Sequence, residues 1–135
     1  MSDRYKTGMK TRRSVLGDAH VDRAEANKTA FDAPFQEMIT ETAWGNLWAN
    51  DRISKRERSM LTLAILAALG NFDEIPMHIR ATAQTGASQA DILEAFMHVA
   101  IYAGVPRANH AIKLAKQTFI EMDKESDKQK DIGDA

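Results

Sequence analysis

Apolar residues recur at intervals of three or four positions from about residue 33 to residue 122 of this 135-residue chain. That spacing places them on one face of an α-helix. No segment alternates between apolar and polar side chains in the way that a half-buried β-strand does. The pattern therefore predicts an all-α protein, in which four or five helices are arranged as helical hairpins.

Capping residues predict the bounds of the first two helices. The first helix runs over about residues 33–49, where the apolar stripe is continuous. The second follows Ser54, whose hydroxyl forms a capping box with the carboxylate of Glu57 when the serine precedes a helix. Gly70 ends the apolar run "MLTLAILAALG" and is a typical C-terminal stop.

The later helices are bounded in the same way. The third lies in "NFDEIPMHIRATAQTG", with Pro76 in its first turn and Gly86 at its end. Ser88 and Asp91 open the fourth helix, and the last helix follows the break at "AGVP".

The two ends of the chain differ from this central part. Residues 1–30 are polar and contain Gly8 and Gly17, which predicts an irregular N-terminal arm. Residues 124–135 carry mixed charge and little apolar content, which predicts a flexible tail. The predicted domain division is therefore an arm over 1–30, a helical domain over 31–123 and a tail over 124–135.

Composition narrows the class of protein. The chain is 44% hydrophobic and 27% charged with a net charge of −1, so nothing favours nucleic acid or an anionic membrane as a partner. No apolar run reaches the roughly 18 residues of a membrane span, and the polar N-terminus does not resemble a signal peptide. The chain has no cysteine, which excludes disulfides, thiolate nucleophiles and zinc–thiolate sites. A cytoplasmic protein is expected.

The apolar surface exceeds what a single slim bundle can bury. The second helix is apolar almost all round, and two tryptophans lie close together at Trp44 and Trp48. Helices of this kind are buried in a bundle or at a subunit interface. A homo-oligomer is therefore predicted.

Glu57 and His78 each allow two interpretations. Glu57 is either a capping residue or a partly buried carboxylate with a raised pKa, suited to acid/base work or to orienting a histidine. His78 lies at the edge of an apolar helix face, where it is either a packed core residue or an acid/base group. Glu74 and His78 stand four residues apart and could bridge an ion, but no third ligand has suitable spacing, so no metal site is predicted.

The N-terminal arm contains "RRSVLGDAHVDR", which gathers Arg12, Arg13, His20 and Arg23. Arginine binds carboxylates through two parallel hydrogen bonds, so this segment suits the recognition of an acidic ligand. The alternatives are a solvated basic arm or one that contacts acidic residues of a partner subunit. Composition does not decide among them.

Five segments carry motifs that occur together in one family: "RYKTGMKTRRSVLGDAHVDR", "FQEMITETAWGNLWAND", "RERSMLTLAILAALG", "EIPMHIRATAQTGAS" and "AIYAGVPRANHAIKLA". Over about residues 4–122 the chain resembles the γ-carboxymuconolactone decarboxylases. The helical half alone is similar only to the broader superfamily that includes the alkylhydroperoxidase D proteins. The arm motif, joined to "AWGNLW" and "GVPRANH", is more specific.

This resemblance implies a compact helical bundle of the alkylhydroperoxidase D type that assembles as a trimer or hexamer. The peroxidase branch uses two cysteines and a histidine, with a glutamate on the preceding helix. Here Asn71 and Glu74 stand at the cysteine positions, while Glu57 and His78 stand at those of the glutamate and histidine. The resemblance therefore excludes thiol peroxidase activity and keeps the acid/base pair.

The activity implied is decarboxylation of γ-carboxymuconolactone to β-ketoadipate enol-lactone, in the breakdown of protocatechuate. This small-molecule partner is a lactone dicarboxylate whose ring double bond and carbonyl accept the electron pair, so no cofactor is expected. His78 is the expected proton donor or oxyanion partner, Glu57 orients it or relays the proton, and His20 is the competing acid. The expected substrate-binding residues are Arg12, Arg13 and Arg23, with Arg80 possible, and an apolar wall from Trp44, Trp48 or Tyr102.

Two other functions stay open. The same fold could decarboxylate or isomerise a related lactone acid without a cofactor. The chain could also be a non-catalytic oligomeric binding module in which His78 is structural.

Overall fold

A computed structural model describes residues 1–133, with side chains through residue 130. The described residues form helices and connecting loops, and none of them lies in a β-strand. None of the described helices is long and apolar enough to cross a membrane. The helices are α1 (Asp3–Leu16), α2 (Asp18–Asn27), α3 (Ala33–Ile39) running into a π-helix (Thr40–Leu47), α4 (Lys55–Leu69), a 3₁₀ turn (Phe72–Glu74), α5 (Ile75–Thr85), α6 (Gln89–Tyr102) and α7 (Val105–Gly133).

The predicted bounds of α4 and α5 and the predicted starts of α6 and α7 are confirmed. Ser54 forms a capping box with Glu57 at the start of α4, and Ser88 forms one with Asp91 at the start of α6. Gly70 follows α4 in the left-handed conformation, with φ +76°. These signals are local because each cap satisfies backbone groups within one helical turn of itself.

The prediction of an irregular N-terminal arm is wrong, because residues 3–16 and 18–27 are helical. Gly8 lies inside α1 and permits a close crossing between α1 and the π-helix. A Cβ at Gly8 would collide with the carbonyl oxygen of Thr40, and a Cβ at Gly45 would collide with the carbonyl oxygen of Arg4. Gly8 is therefore a packing residue, whereas Gly17, with φ +89°, does separate α1 from α2.

The predicted tail is also helical where it is described, because α7 continues to Gly133. Arg80 of α5 donates hydrogen bonds to Glu121 at 3.0 Å and to Glu125 at 2.8 Å, which ties the last part of α7 to the bundle. Charged residues after Glu125 are compatible with a solvated helix, so their polarity did not require an irregular tail. Residues 134–135 lie outside the described part of the chain.

Two apolar clusters meet at α5. The larger one fills the space among α4, α5, α6 and α7 and includes Phe96 and Ile79, both fully buried. The smaller one joins α1 and the π-helix to the opposite side of α5 and consists of Val15, Trp44, Trp48 and Ala81. Because α5 is shared, the N-terminal helices are held against the helix that carries His78.

Candidate active site

The turn between α1 and α2 lies over one face of α5 and leaves a cavity of about 270 Å³. On the α5 side, Met77, Arg80 and Gln84 line it, and their spacing of three and four residues places them on one helix face. On the other side, the cavity is lined by the end of α1 and the first turns of α2, namely Leu16, Gly17, Asp18, Ala19, His20 and Arg23. The sequence separates these two groups by more than 50 residues, and the fold brings them together.

His78 is half-buried, adjacent in sequence to the lining residue Met77 and close enough to His20 for their charges to interact. Its Nδ1 atom is buried and has no hydrogen-bond partner among the described residues. Burial, which disfavours the charged form, and repulsion from His20 lower the pKa of His78 from 6.5 to about 4. His78 is therefore a neutral imidazole at neutral pH.

His20 lines the cavity directly and is half-buried. Its pKa is lowered from the ordinary histidine value, chiefly by burial and then by the positive charges of Arg23 and Arg12. His20 thus lies near two cations, which favour an anionic ligand and disfavour a positive charge on its imidazole.

The four predicted arginines have different surroundings. Arg23 lines the cavity and forms no ion pair with an acidic side chain in the described part of the chain. Arg80 lines it too, but α7 already supplies two carboxylates to its guanidinium. Arg23 is therefore the arginine best placed to bind a carboxylate ligand.

Arg12 and Arg13 hold α2 in place. Arg12 is buried and donates a hydrogen bond to Glu25 at 3.3 Å. Arg13 pairs with Asp18 at 3.2 Å and with Asp22 at 2.9 Å. Neither lines the cavity, so both position α2, and with it His20 and Arg23, rather than contact a ligand there.

Of the two interpretations of Glu57, the structure confirms the capping residue and contradicts the partly buried carboxylate with a raised pKa. Glu57 is exposed, and hydrogen bonds from the backbone N–H and then the hydroxyl of Ser54 lower its pKa. Helices α4 and α5 form an antiparallel hairpin, in which Glu57 lies roughly 18 Å along α4 from its end at Leu69, whereas His78 lies only about 5 Å along α5 from its start at Ile75. Glu57 instead lines a separate hollow with Ile53 and Met60.

The three aromatic residues predicted to form an apolar wall are not found at this cavity. Trp44 and Trp48 are buried against each other in the smaller core cluster, with ring centroids 5.4 Å apart. Tyr102 is 86% exposed at the end of α6, where it stacks on His98. None of the three lines the cavity.

Glu74, which precedes His78 by four residues, lies in the 3₁₀ turn rather than in α5. It lines a larger, open cavity of about 730 Å³ together with Phe72 and His110, whose rings stack at 4.1 Å. Within the described residues, no group of three histidine or acidic side chains is arranged to hold a metal ion.

Sequence reasoning missed Met77 and Gln84. Both share the face of α5 that carries Arg80, since they lie three residues before and four residues after it. The helical spacing could have identified them once Arg80 had been singled out. What the sequence did not show was that α1 and α2 are helices that cover this face.

Comparison with known proteins places the chain among decarboxylases. The model of the carboxymuconolactone decarboxylase family matches residues 33–117. A 4-carboxymuconolactone decarboxylase from Acinetobacter baylyi is 38% identical over 119 residues, which is 88% of this chain and 89% of the relative. A 4-carboxymuconolactone decarboxylase from Pseudomonas putida is 56% identical over 43 residues, 32% of this chain and 90% of that sequence.

A nitrosuccinic acid decarboxylase from Metarhizium robertsii is 35% identical over 118 residues, 87% of this chain and 82% of the relative. The match to the Acinetobacter protein leaves at most 16 of the 135 residues outside it, so it includes residues 17–119. That region holds His20, Arg23 and the whole of α5. On the family match and on these identities, the chain belongs to the carboxymuconolactone decarboxylase family.

Proposed function

We propose that this protein decarboxylates 4-carboxymuconolactone to β-ketoadipate enol-lactone without a cofactor, in the cavity between α5 and the α1–α2 turn. The observation that carries this proposal is that Arg23, which has no acidic partner among the described residues, and His20 line one cavity, with the imidazole of His78 near His20. Identity of 38% to a named 4-carboxymuconolactone decarboxylase, over a region that includes the cavity, supports this substrate.

The substrate supplies its own electron sink. Its γ carbon carries a carboxylate and an acetate arm, and a ring double bond connects that carbon to the lactone carbonyl. When the bond from the γ carbon to the carboxylate breaks, CO2 leaves and the electron pair moves through the double bond to the carbonyl oxygen. A proton added to the carbon next to the carbonyl then gives the enol-lactone. The protein must orient the substrate, stabilise the oxyanion and deliver that proton.

Arg23 is the proposed binding residue for the acetate arm. A cation that held the scissile carboxylate would stabilise the ground state more than the transition state, because the charge leaves that group as CO2 forms. Binding the arm instead positions the substrate without slowing the reaction. Arg80 is proposed to support the cavity wall, since Glu121 and Glu125 already occupy its guanidinium.

His20 is the proposed proton donor. It lines the cavity, whereas His78 does not, so the order of preference predicted from the sequence is reversed in this proposal. A dianionic substrate next to His20 raises the pKa of that histidine and offsets the effect of Arg23 and Arg12. The imidazolium of His20 then forms where the proton is needed. His78 stays neutral and so adds no second positive charge.

A second candidate substrate is nitrosuccinate. The 35% identical relative from Metarhizium robertsii is named as a nitrosuccinic acid decarboxylase. It is also a dicarboxylate whose reacting carboxylate lies next to an electron sink, in this case a nitro group. Arg23 would bind the second carboxylate in the same way.

The test is to incubate the purified protein with each substrate and follow CO2 release, together with loss of the conjugated absorbance of the lactone. We expect turnover of the lactone with a kcat/KM well above that for nitrosuccinate. Turnover of nitrosuccinate alone would favour the second candidate. No CO2 from either, with intact helical content, would favour a binding module.

A homo-oligomer, such as the predicted trimer or hexamer, is part of this proposal. Two adjacent helices, α4 and α6, each expose apolar side chains at intervals of four residues, and a soluble monomer rarely leaves so large a patch uncovered. These residues are Leu61, Ile65 and Leu69 on α4 and Leu93, Met97 and Ile101 on α6.

Light scattering should give a particle mass that is a multiple of 15.0 kDa. The Ile65→Lys substitution should lower that mass, because it places a charge in the apolar patch. The cytoplasmic location stays a prediction.

A further inference from the structure

Gln84 is the neutral hydrogen-bond donor on the wall of the candidate active site. It follows Arg80 by one helical turn on the same face of α5 and lines the cavity opposite α2. Its side-chain amide makes no hydrogen bond to another described residue. An exposed glutamine on a helix is ordinary, but this one faces a cavity that His20 and Arg23 share.

The Gln84 amide lies against the turn at Gly17. A Cβ built at Gly17 would lie 2.7 Å from Nε2 of Gln84, so the amide nitrogen occupies space that any other residue at this turn would fill. Gly17 also has φ +89°, which residues with a side chain rarely adopt. The turn thus places the amide nitrogen at the end of α1, where α2 begins.

Charged groups of both signs lie at that end of the cavity. Helix α2 begins at Asp18 without a side-chain cap, so its first-turn N–H groups leave positive potential there, and the carboxylate of Asp18, which lines the cavity, pairs with Arg13 at 3.2 Å. In the proposed reaction, negative charge moves from the scissile carboxylate to the lactone carbonyl oxygen. A neutral hydrogen-bond donor beside the carbonyl oxygen stabilises the transition state more than the ground state, because the negative charge arrives there only as the reaction proceeds. A cation near both carboxylates would stabilise the ground state as well.

We infer that Gln84 is a catalytic residue whose Nε2 donates a hydrogen bond to the lactone carbonyl oxygen as the dienolate forms. This inference rests on the proposed function. It assigns the developing oxyanion to Gln84, the acetate arm to Arg23 and the proton to His20. Gly17 is then a positioning residue, because it leaves room for the amide.

The first experiment compares Gln84→Met with the wild-type enzyme in steady-state decarboxylation of 4-carboxymuconolactone. Methionine has a similar length and no donor, and an exposed site tolerates it. We expect kcat to fall by about 10²-fold, the lower end of the range for an oxyanion donor, because the cavity is open to solvent. KM should stay within about threefold, since the bond strengthens only in the transition state. Gln117→Met, on the exposed face of α7, is the matched control.

The second experiment does not depend on turnover. Tetronate is a furanone enolate that resembles the dienolate, and succinate resembles only the dicarboxylate part of the substrate. Calorimetry should show that Gln84→Met binds tetronate at least about tenfold more weakly, the loss expected for one hydrogen bond to a charged group, with succinate binding unchanged.

The outcomes separate this inference from the proposed function. If the wild-type enzyme turns over neither the lactone nor nitrosuccinate, the proposed decarboxylase function is contradicted. The tetronate experiment does not need turnover, so it still decides whether Gln84 binds an enolate oxygen. The assignment would be overturned if wild type and Gln84→Met bound tetronate equally well, or if neither bound it. It would also be overturned if the kcat of Gln84→Met lay within about twofold of wild type.

Discussion

Acidification should destabilise this protein through His78. In the unfolded chain a histidine binds its proton near pH 6.5, whereas burial holds the pKa of His78 at about 4 in the native state. Between those values the unfolded state binds more protons than the native state, so the free energy of unfolding falls as the pH falls. With these two values, lowering the pH from 7.5 to 5.0 removes about 2 kcal/mol of stability through this one group.

The assay is urea denaturation at pH 7.5 and at pH 5.0, at one protein concentration because assembly would also affect stability. His78→Gln keeps a polar side chain of similar size but removes the titration, so its loss of stability over this range should be smaller than wild type by about 2 kcal/mol. His20, whose pKa is also lowered, contributes in the same direction in both proteins and cancels in the comparison.

His98→Gln is the matched control, because His98 lies exposed on α6, where its ring stacks on Tyr102 of the same helix. Its dependence on pH should equal that of wild type. If wild type and His78→Gln lose the same stability between pH 7.5 and 5.0, the burial of a neutral His78 is refuted.

Two further substitutions test the fold and the site together. Gly8→Ala should destabilise the protein by about 1–3 kcal/mol, because its Cβ would strike the carbonyl oxygen of Thr40, and a thermal melt that shows no change would contradict the close crossing. Glu57→Gln should leave kcat within about twofold of wild type, because the exposed carboxylate caps α4 far from the cavity, and a large loss of kcat would restore its predicted catalytic role.

The sequence was sufficient wherever the determining interaction is local. The capping boxes at Ser54 and Ser88 and the stops at Gly70 and Gly86 act within one turn, and the structure confirms all four. Gly8 was misread as a helix breaker because its partner, Thr40, lies 32 positions away. The tertiary contact that requires a glycine there leaves no mark on the neighbouring residues.

The candidate site was predicted in part for the same reason. His20, Arg23 and Arg80 were identified by residue type and by resemblance, and the structure brings them to one cavity. Glu57 was paired with His78 by analogy, but the hairpin places the glutamate near the far end of α4. Gln84 has no distinctive residue type or motif, and only its position opposite α2 reveals it.

The central claim is that the cavity between α5 and the α1–α2 turn carries out the decarboxylation. The most direct measurement is the rate at which His20→Gln releases CO2 from 4-carboxymuconolactone, beside wild type and His98→Gln. The account predicts that His20→Gln loses at least about 10²-fold in kcat, as expected for a general acid, while His98→Gln matches wild type. An active wild type whose kcat is unchanged in His20→Gln would contradict it.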